Sequence, residues 1–373
     1  MILTFENIAH YLLGEGLITL PAIVDGNFSV RDISSRNCNF VINKEFPDKY
    51  LVKQVRMQDA EKTHTMRIEA TCYWLANNDP HYQVLKDFLP KYYKYDYLNH
   101  ILIIELLPNT FSLQDYYSSS QRFPTEIGQQ LGASLAAYHT SRADMEQKSK
   151  SLSLFQKKEP WIFELIRNYQ NGAANKGQMR PVEQQLFQLI FENPTFVDLL
   201  KSVTEEWEVE SLIHGDIKFP NFLINTSFQQ GAELDIRLID WELADIGDPL
   251  WDVAAIFQNY LSFWVHYGKE NNSTHSHTIE LHQLQPTVAT FWNSYVANRN
   301  WSKEAADQQL EKAIRFTALK LIHTCFEATP HAKHLPKFCA QFLQLSLNLL
   351  QYPQATIEEI LGIPTTKYHA VYA

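Results

Sequence analysis

The chain is short of basic residues at its start, and of glycine and cysteine throughout. Its first twenty residues carry Glu6 and Glu15 but no lysine or arginine. That excludes the basic n-region of a secretory signal and predicts a cytoplasmic protein. No apolar run approaches the length that spans a bilayer, so no membrane partner is expected. The four cysteines, Cys38, Cys72, Cys325 and Cys339, lack the paired spacing of a metal site. They lie among apolar residues, which predicts free, mostly buried thiols. The net charge is −10 with the basic residues scattered, so the basic face that nucleic acid needs is missing.

What is present is globular. Over 373 residues, 45% are apolar and 20% charged, enough for a sizeable core and for two lobes. Oligomeric state is not legible.

The most informative stretch runs Leu212-Ile213-His214-Gly215-Asp216-Ile217-Lys218-Phe219-Pro220-Asn221-Phe222-Leu223-Ile224. It places a carboxylate, an ammonium and an amide between apolar flanks, as in a polar loop joining two buried strands. Gly-Asp and Asn alone are ordinary turn chemistry. A second apolar-then-acidic turn follows, Leu238-Ile239-Asp240-Trp241-Glu242. A carboxylate that orients a nucleophile, followed by an amide and a carboxylate for a divalent metal, is the equipment of phosphoryl transfer.

Before this stretch, residues 1–22 read as a helix and a connection, followed by strands around Phe40-Val41-Ile42 and Tyr50–Val55. Ser34 to Asn37 reads as a hairpin turn or as a phosphate-facing nest with Arg36. Lys53 sits inside an apolar strand, where an unpaired ammonium is costly. A helical pattern over Ala60–Ala76 offers Glu69 as its partner. The strand His100–Leu107 ends at Pro108, and the boundary between lobes is placed near Leu107. This gives an expected N-lobe of 1–107 and C-lobe of 108–373.

The rest reads as mainly helical. Thr125–His139 has an apolar face, with His139 a packed helix-end residue. Residues 141–181 are the place for a substrate-specific insertion or a solvated hairpin. Gly247-Asp248-Pro249 opens a helix carrying Asp252, an acid in an apolar first turn that needs hydrogen-bond donors. His275, His277 and His282 suggest a zinc site as a minor reading. Residues 303–352 read as amphipathic helices, and the last twenty residues as a loose tail.

Taken together, these residues resemble the aminoglycoside phosphotransferase / choline kinase-like family, relatives of protein kinases. The resemblance runs from about Asn27 to Phe257. It rests on Lys53, Glu69, Ile104-Glu105-Leu106-Leu107, Ala133–His139, His214-Gly215-Asp216 with Asn221, Ile239-Asp240-Trp241-Glu242, and Gly247-Asp248-Pro249 with Asp252. It implies an α+β, bilobal protein-kinase-like fold, with a small β-rich N-lobe and a larger helical C-lobe, and ATP and Mg²⁺ in the cleft. Asp216 would orient or deprotonate the acceptor hydroxyl, and Asn221 and Asp240 would bind metal. Lys53, positioned by Glu69, would hold the α/β-phosphates, while Glu105 C=O and Leu107 N–H would pair with adenine.

Two departures from the family pattern stand out. The phosphate loop lacks its glycines, which leaves ATP or GTP open. Lys218 follows the base as in Ser/Thr protein kinases, which favours a simple alcohol acceptor. The leading expectation is ATP-dependent phosphorylation of a small-molecule hydroxyl. A kinase of Ser/Thr in a peptide, as in ribosomal peptide biosynthesis, and a non-catalytic pseudokinase are the alternatives.

Overall fold

The computed structural model describes residues 1–34, 38–44, 49–55, 59–140, 153–170, 179–268, 278–330 and 332–365. Ser35–Asn37, and with them most of the candidate phosphate turn, lie outside the described residues. So do His275 and His277.

In chain order the principal elements are α1 (Ile8–Gly14), α2 (Leu20–Val24), β1 (Phe28–Asp32), β2 (Cys38–Lys44), β3 (Tyr50–Gln54), α3 (Ala60–Asn78), β4 (Tyr92–Asp96), β5 (Ile101–Glu105) and β6 (Thr110–Ser112). Then come α4 (Leu113–Ser120), α5 (Thr125–Thr140), α6 (Trp161–Gln170), α7 (Pro181–Phe191), α8 (Pro194–Thr204), β7 (Ser211–Ile213), β8 (Phe222–Asn225), β9 (Ile236–Leu238) and β10 (Asp245–Gly247). Four helices close the chain: α9 (Leu250–Tyr267), α10 (Leu281–Arg299), α11 (Lys303–Ala328) and α12 (Lys337–Gln351).

Two compact units emerge. The first holds Met1–Asp115, the segment ending at Phe155, and Pro220–Ala244; the second holds the remaining described chain. The α+β class with a small antiparallel sheet unit and a larger helical unit is the one the sequence predicts.

In the first unit, five antiparallel strands lie in the order β1-β2-β3-β5-β4. Strand periodicity does the sorting. Tyr50, Val52 and Gln54 of β3 are buried, with Tyr50 and Val52 in a core of Leu3, Ile8, Leu12, Ile18, Phe40, Ile42, Ile101 and Ile103. Leu51 and Lys53 therefore take the opposite face. β5 is buried along Ile101–Ile104, as a central strand covered on both sides must be. Asp59 caps α3 by accepting from the Lys62 N–H at 3.0 Å, and Met66, Ile68, Glu69, Ala70 and Tyr73 are buried along it. Trp74, on the same helix, is 44% exposed. A second sheet, β6-β8-β9, brings residues 220–244 into this unit.

The second unit is helical, with one small ladder of β7 against β10. α5 and α10 pack backbone to backbone at Gly128 and Gly132. A Cβ on Gly132 would stand 2.8 Å from the Tyr295 nitrogen, and one on Gly128 would overlap the Thr287 carbonyl.

The end of the chain departs from the expected loose tail. Ile357, Leu361 and Ile363 are each at most 2% exposed, and the Gln285 amide donates to the Glu359 carbonyl at 2.9 Å. Apolar anchors spaced one turn apart hold this segment down, up to residue 365. All four cysteines are free, three of them buried. Among the described residues no helix is long and apolar enough to cross a membrane.

Candidate active site

The candidate residues fall into two groups, one in each unit. In the first unit Lys53 projects from β3 on the face away from the core. Its Nζ lies 2.8 and 3.1 Å from the two Glu69 carboxylate oxygens and 3.6 Å from Asp240 Oδ1. Glu69 is 2% exposed. Burial lowers the proton affinity of Lys53, but the Glu69 carboxylate, then Asp240 and Glu242, hold it above the ordinary value. The expected ion pair is thus present, and it reaches a third expected residue.

Asp240 is in the left-handed region (φ 69°, ψ 54°) at the start of a 3-10 turn, Trp241–Leu243. A non-glycine residue held there is characteristic of functional turns. The fully buried Trp241 anchors it, donating from its indole to the Leu238 carbonyl at 3.0 Å. Asn221 sits just before β8 and is 4% exposed. Its carbonyl accepts from the Ile239 N–H at 3.0 Å, extending the β8–β9 register by one step. Asn221 thus stands directly opposite the residue before Asp240. An amide oxygen and a carboxylate are hard oxygen donors, and a pair of protein ligands completed by substrate phosphates is how Mg²⁺ is usually held. The donor set therefore fits a hard divalent cation. Among the described residues no cluster of His, Cys, Asp and Glu forms a separate metal centre; His282 lies in α10.

At the end of β5 the Glu105 N–H donates to the Lys91 carbonyl at 2.8 Å, and the Leu106 N–H to Lys49 at 2.9 Å. The Glu105 carboxylate accepts from the Lys91 N–H at 3.0 Å. The Leu107 carbonyl accepts from the Thr110 hydroxyl at 3.2 Å, and its N–H makes no hydrogen bond to another described residue. These residues are thus placed at the end of β5, a central strand of the sheet.

The second group is organised by a carboxylate on α9. Asp252, fully buried, accepts from the N–H of His214 (2.7 Å) and of Gly215 (3.0 Å). It also accepts from the Tyr138 hydroxyl at 2.8 Å and meets His139 Nε2 at 3.3 Å. Burial pushes this carboxyl up, yet the donors around it, His139 foremost, leave it below the usual range. Burial lowers the proton affinity of His139 below the ordinary imidazole value. Its Nε2 donates to the Asp252 carboxylate, and Nδ1 lies 3.0 Å from the Tyr295 hydroxyl. His139 is the packed residue the sequence predicts.

Gly215 takes φ 79°, the turn that lets Asp216 follow immediately. The Asp216 N–H donates to His214 Nδ1 at 3.3 Å, and its carboxylate meets Lys218 Nζ at 2.5 Å. Asn259, one residue short of Tyr260 on α9, pins the rest of the loop. Its Oδ1 accepts from the Phe219 N–H at 3.1 Å, and its Nδ2 donates to the Ile217 carbonyl at 3.3 Å. Sequence reasoning missed Asn259. The available signal was a polar residue two turns after Asp252, hence on the same face of the helix. In the stretch read as a possible insertion, Lys157 and Lys158 are tied down, their N–H groups donating to Asp245 at 2.9 and 3.0 Å.

This arrangement defines the protein-kinase-like fold class. Among solved structures, the GDP and kanamycin complex of APH(2")-IIia is 15% identical, covers 95% of this chain and 99% of its own, and has a TM-score of 0.53. Amicoumacin kinase hAmiN in complex with AMP-PNP, Ca²⁺ and Ami is 11% identical, covers 97% of both chains, and has a TM-score of 0.55. A Ralstonia eutropha JMP134 protein taken for an aminoglycoside phosphotransferase is 14% identical, with 94% and 98% covered and a TM-score of 0.52. At these identities the likeness is one of fold. No curated protein matches the chain.

The model of the phosphotransferase enzyme family matches residues 30–270, a span that includes Lys53, Glu69, Glu105, Leu107, Asp216, Lys218, Asn221 and Asp240. The chain belongs to that family, and is a phosphotransferase with an alcohol group as acceptor.

Proposed function

We propose that the chain moves the γ-phosphoryl group of ATP to a hydroxyl of a small molecule with Mg²⁺ as cofactor. The observation that carries this reading is Lys53, held 2.8 Å from Glu69 and 3.6 Å from Asp240. A lysine positioned by one buried carboxylate beside a second, metal-type carboxylate is set to hold nucleotide phosphates. Complexes of the similar folds with GDP and with AMP-PNP and Ca²⁺ support nucleotide and divalent-metal use.

In this reading Lys53 binds the α- and β-phosphates and Glu69 orients it. The Glu105 carbonyl and the Leu107 N–H pair with the adenine edge. Asn221 and Asp240 hold the cation, whose charge neutralises the phosphate oxygens when bound. Asp216 accepts the hydroxyl proton or orients that hydroxyl as a carboxylate. The acceptor oxygen then bonds to the γ-phosphorus as the bond to the ADP oxygen breaks. Lys218 holds Asp216 in place and meets the transferring phosphoryl group. Positioning and charge neutralisation supply most of the acceleration, because the transition state is loose.

The test is ADP release across amino alcohols, sugars, aminoglycosides and Ser/Thr peptides, with ATP and with GTP, before and after chelation of Mg²⁺. ATP-dependent, chelator-sensitive turnover on a small alcohol is expected. Turnover confined to peptides would move the acceptor to a Ser/Thr side chain. No nucleotide binding at all would refute the reading.

A further inference from the structure

A buried ammonium is normally paired, because its desolvation is otherwise uncompensated. Two other sheltered lysines of this chain obey that rule. Lys53 meets Glu69, and Lys312 meets both Glu208 and Asp248 at 2.8 Å. Lys320 does not. It interrupts an apolar run of α11, Ala318-Leu319-Lys320-Leu321-Ile322, and is 7% exposed. Its ammonium makes no hydrogen bond or ion pair with another described residue, and its carbonyl accepts from the Thr324 hydroxyl at 3.0 Å. Its Nζ lies instead 4.1 Å from the centre of the Trp251 ring, a cation–π contact that offsets only part of the cost.

The charges this ammonium feels come from Asp252 on α9, from the loop of Asp216 and Lys218, and from Glu327 on α11 itself. Burial lowers its proton affinity to about 8, opposed by the carboxylates of Asp252, Asp216 and Glu327, with Lys218 acting in the same direction as burial. One turn along α11, His323 packs against Trp161 at 4.9 Å and Trp251 at 6.5 Å, and Trp161 is 43% exposed. An unpaired cation is therefore lodged against Trp251, whose chain neighbour Asp252 holds the N–H groups of His214 and Gly215 in the loop that carries Asp216 and Lys218. Residue 320 also lies beyond the span that the family model matches, 30–270.

We propose that Lys320 recognises a carboxylate carried by the acceptor alcohol, so that the substrate class is a hydroxy acid or a hydroxyl-bearing amino acid. This rests on reading Asp216 as the group that handles the acceptor hydroxyl. A monoanion supplies the partner that the fold withholds, and an ordered, desolvated ammonium binds it with little further reorganisation. An acceptor that is only cationic would meet repulsion at this position.

The full chain, loaded with Mg²⁺ and AMP-PNP, is titrated with D-glycerate against glycerol and with L-serine against L-serinamide, followed by ligand-detected NMR. The acid is expected to bind at least about tenfold more tightly than its neutral counterpart in each pair. Lys320→Met, which keeps the stem over Trp251, should erase that ratio while leaving AMP-PNP affinity within about twofold; Lys320→Gln serves if the first variant aggregates. Equal binding within each pair, no binding of either acid, tighter binding of choline or kanamycin, or a preference that survives both variants overturns the proposal. ADP release with ATP is measured on the same acids. Selective acid binding without transfer would remove the phosphotransfer reading and leave the carboxylate site standing.

Discussion

The ammonium of Lys53 and the carboxylate of Glu69 are joined at 2.8 Å across an otherwise apolar junction of strand and helix. Lys53 has a second neighbour in Asp240, so the two ends of the pair are not equivalent. Lys53→Ala removes the phosphate contact itself, and productive ATP binding should fall by at least about tenfold, a loss of about 1.4 kcal/mol. Glu69→Ala should cost less, because Lys53 keeps Asp240 in reach. Calorimetric titration of both variants with Mg·ATP checks the order; equal, negligible effects would take the pair out of the site.

Asp240→Ala deletes the carboxylate of the proposed metal pair. Turnover should drop well beyond tenfold, and the dependence of nucleotide affinity on Mg²⁺ should flatten. A kcat within about tenfold of the parent, about 1.4 kcal/mol in barrier, would rule out this role.

Asp216→Asn keeps size and hydrogen bonding but loses the charge. ATP affinity should persist while transfer falls by roughly 10²–10⁴. Lys218→Ala should lower kcat with ATP affinity intact, since its ammonium is proposed to act during transfer. Steady-state rates beside calorimetry separate that from a silent solvated lysine.

Asp252→Ala would strand the N–H groups of His214 and Gly215, the Tyr138 hydroxyl and the His139 ring N–H, all now donating to one carboxylate. With buried donors left unsatisfied, a loss on the order of 4 kcal/mol is expected. Asp252→Asn, which retains one acceptor oxygen, should lose less. Urea unfolding measures both, and a loss below about 1 kcal/mol for the alanine variant would show that the loop does not hang on this residue.

Lys320 gives a pH-dependent signature. Its folded proton affinity is lowered to about 8, against roughly 10.4 for an unfolded lysine. Between those values the unfolded chain holds a proton that the fold does not, so stability rises with pH across that window. Below about 8 the penalty is present in full. Lys320→Met should therefore be the more stable protein at pH 7, by on the order of 3 kcal/mol, and its advantage should shrink by pH 9.5. Paired urea melts at the two pH values test this; a constant gap would mean that the ammonium is not desolvated.

The parts of this molecule legible in sequence are those written in local pattern. Lys53 in its strand, Glu69 on its helix and the runs around Asp216 and Asp240 each announce themselves by one polar group among apolar neighbours. The return of residues 220–244 to the first unit was not legible, because it depends on β8 pairing with β6, a long-range ladder. Asn259 escaped because an amide on a helix is unremarkable until the loop it holds is in view. Lys320 was overlooked because a lysine in a helix is usually solvated; only burial without a partner marks it.

The glycine seam between α5 and α10 carries a consequence for how such an enzyme can diversify. At Gly128 and Gly132 even a methyl group collides with the backbone of α10, and about two turns beyond Gly132 α5 delivers Tyr138 and His139 to Asp252. Sequence drift along that seam would displace the donors that set the loop of Asp216. α11 has no glycine, and the Lys320 ammonium meets a side chain, the Trp251 ring, rather than main chain. New acceptor preferences are therefore expected to arise by substitution on α11, with the glycine pair left unchanged.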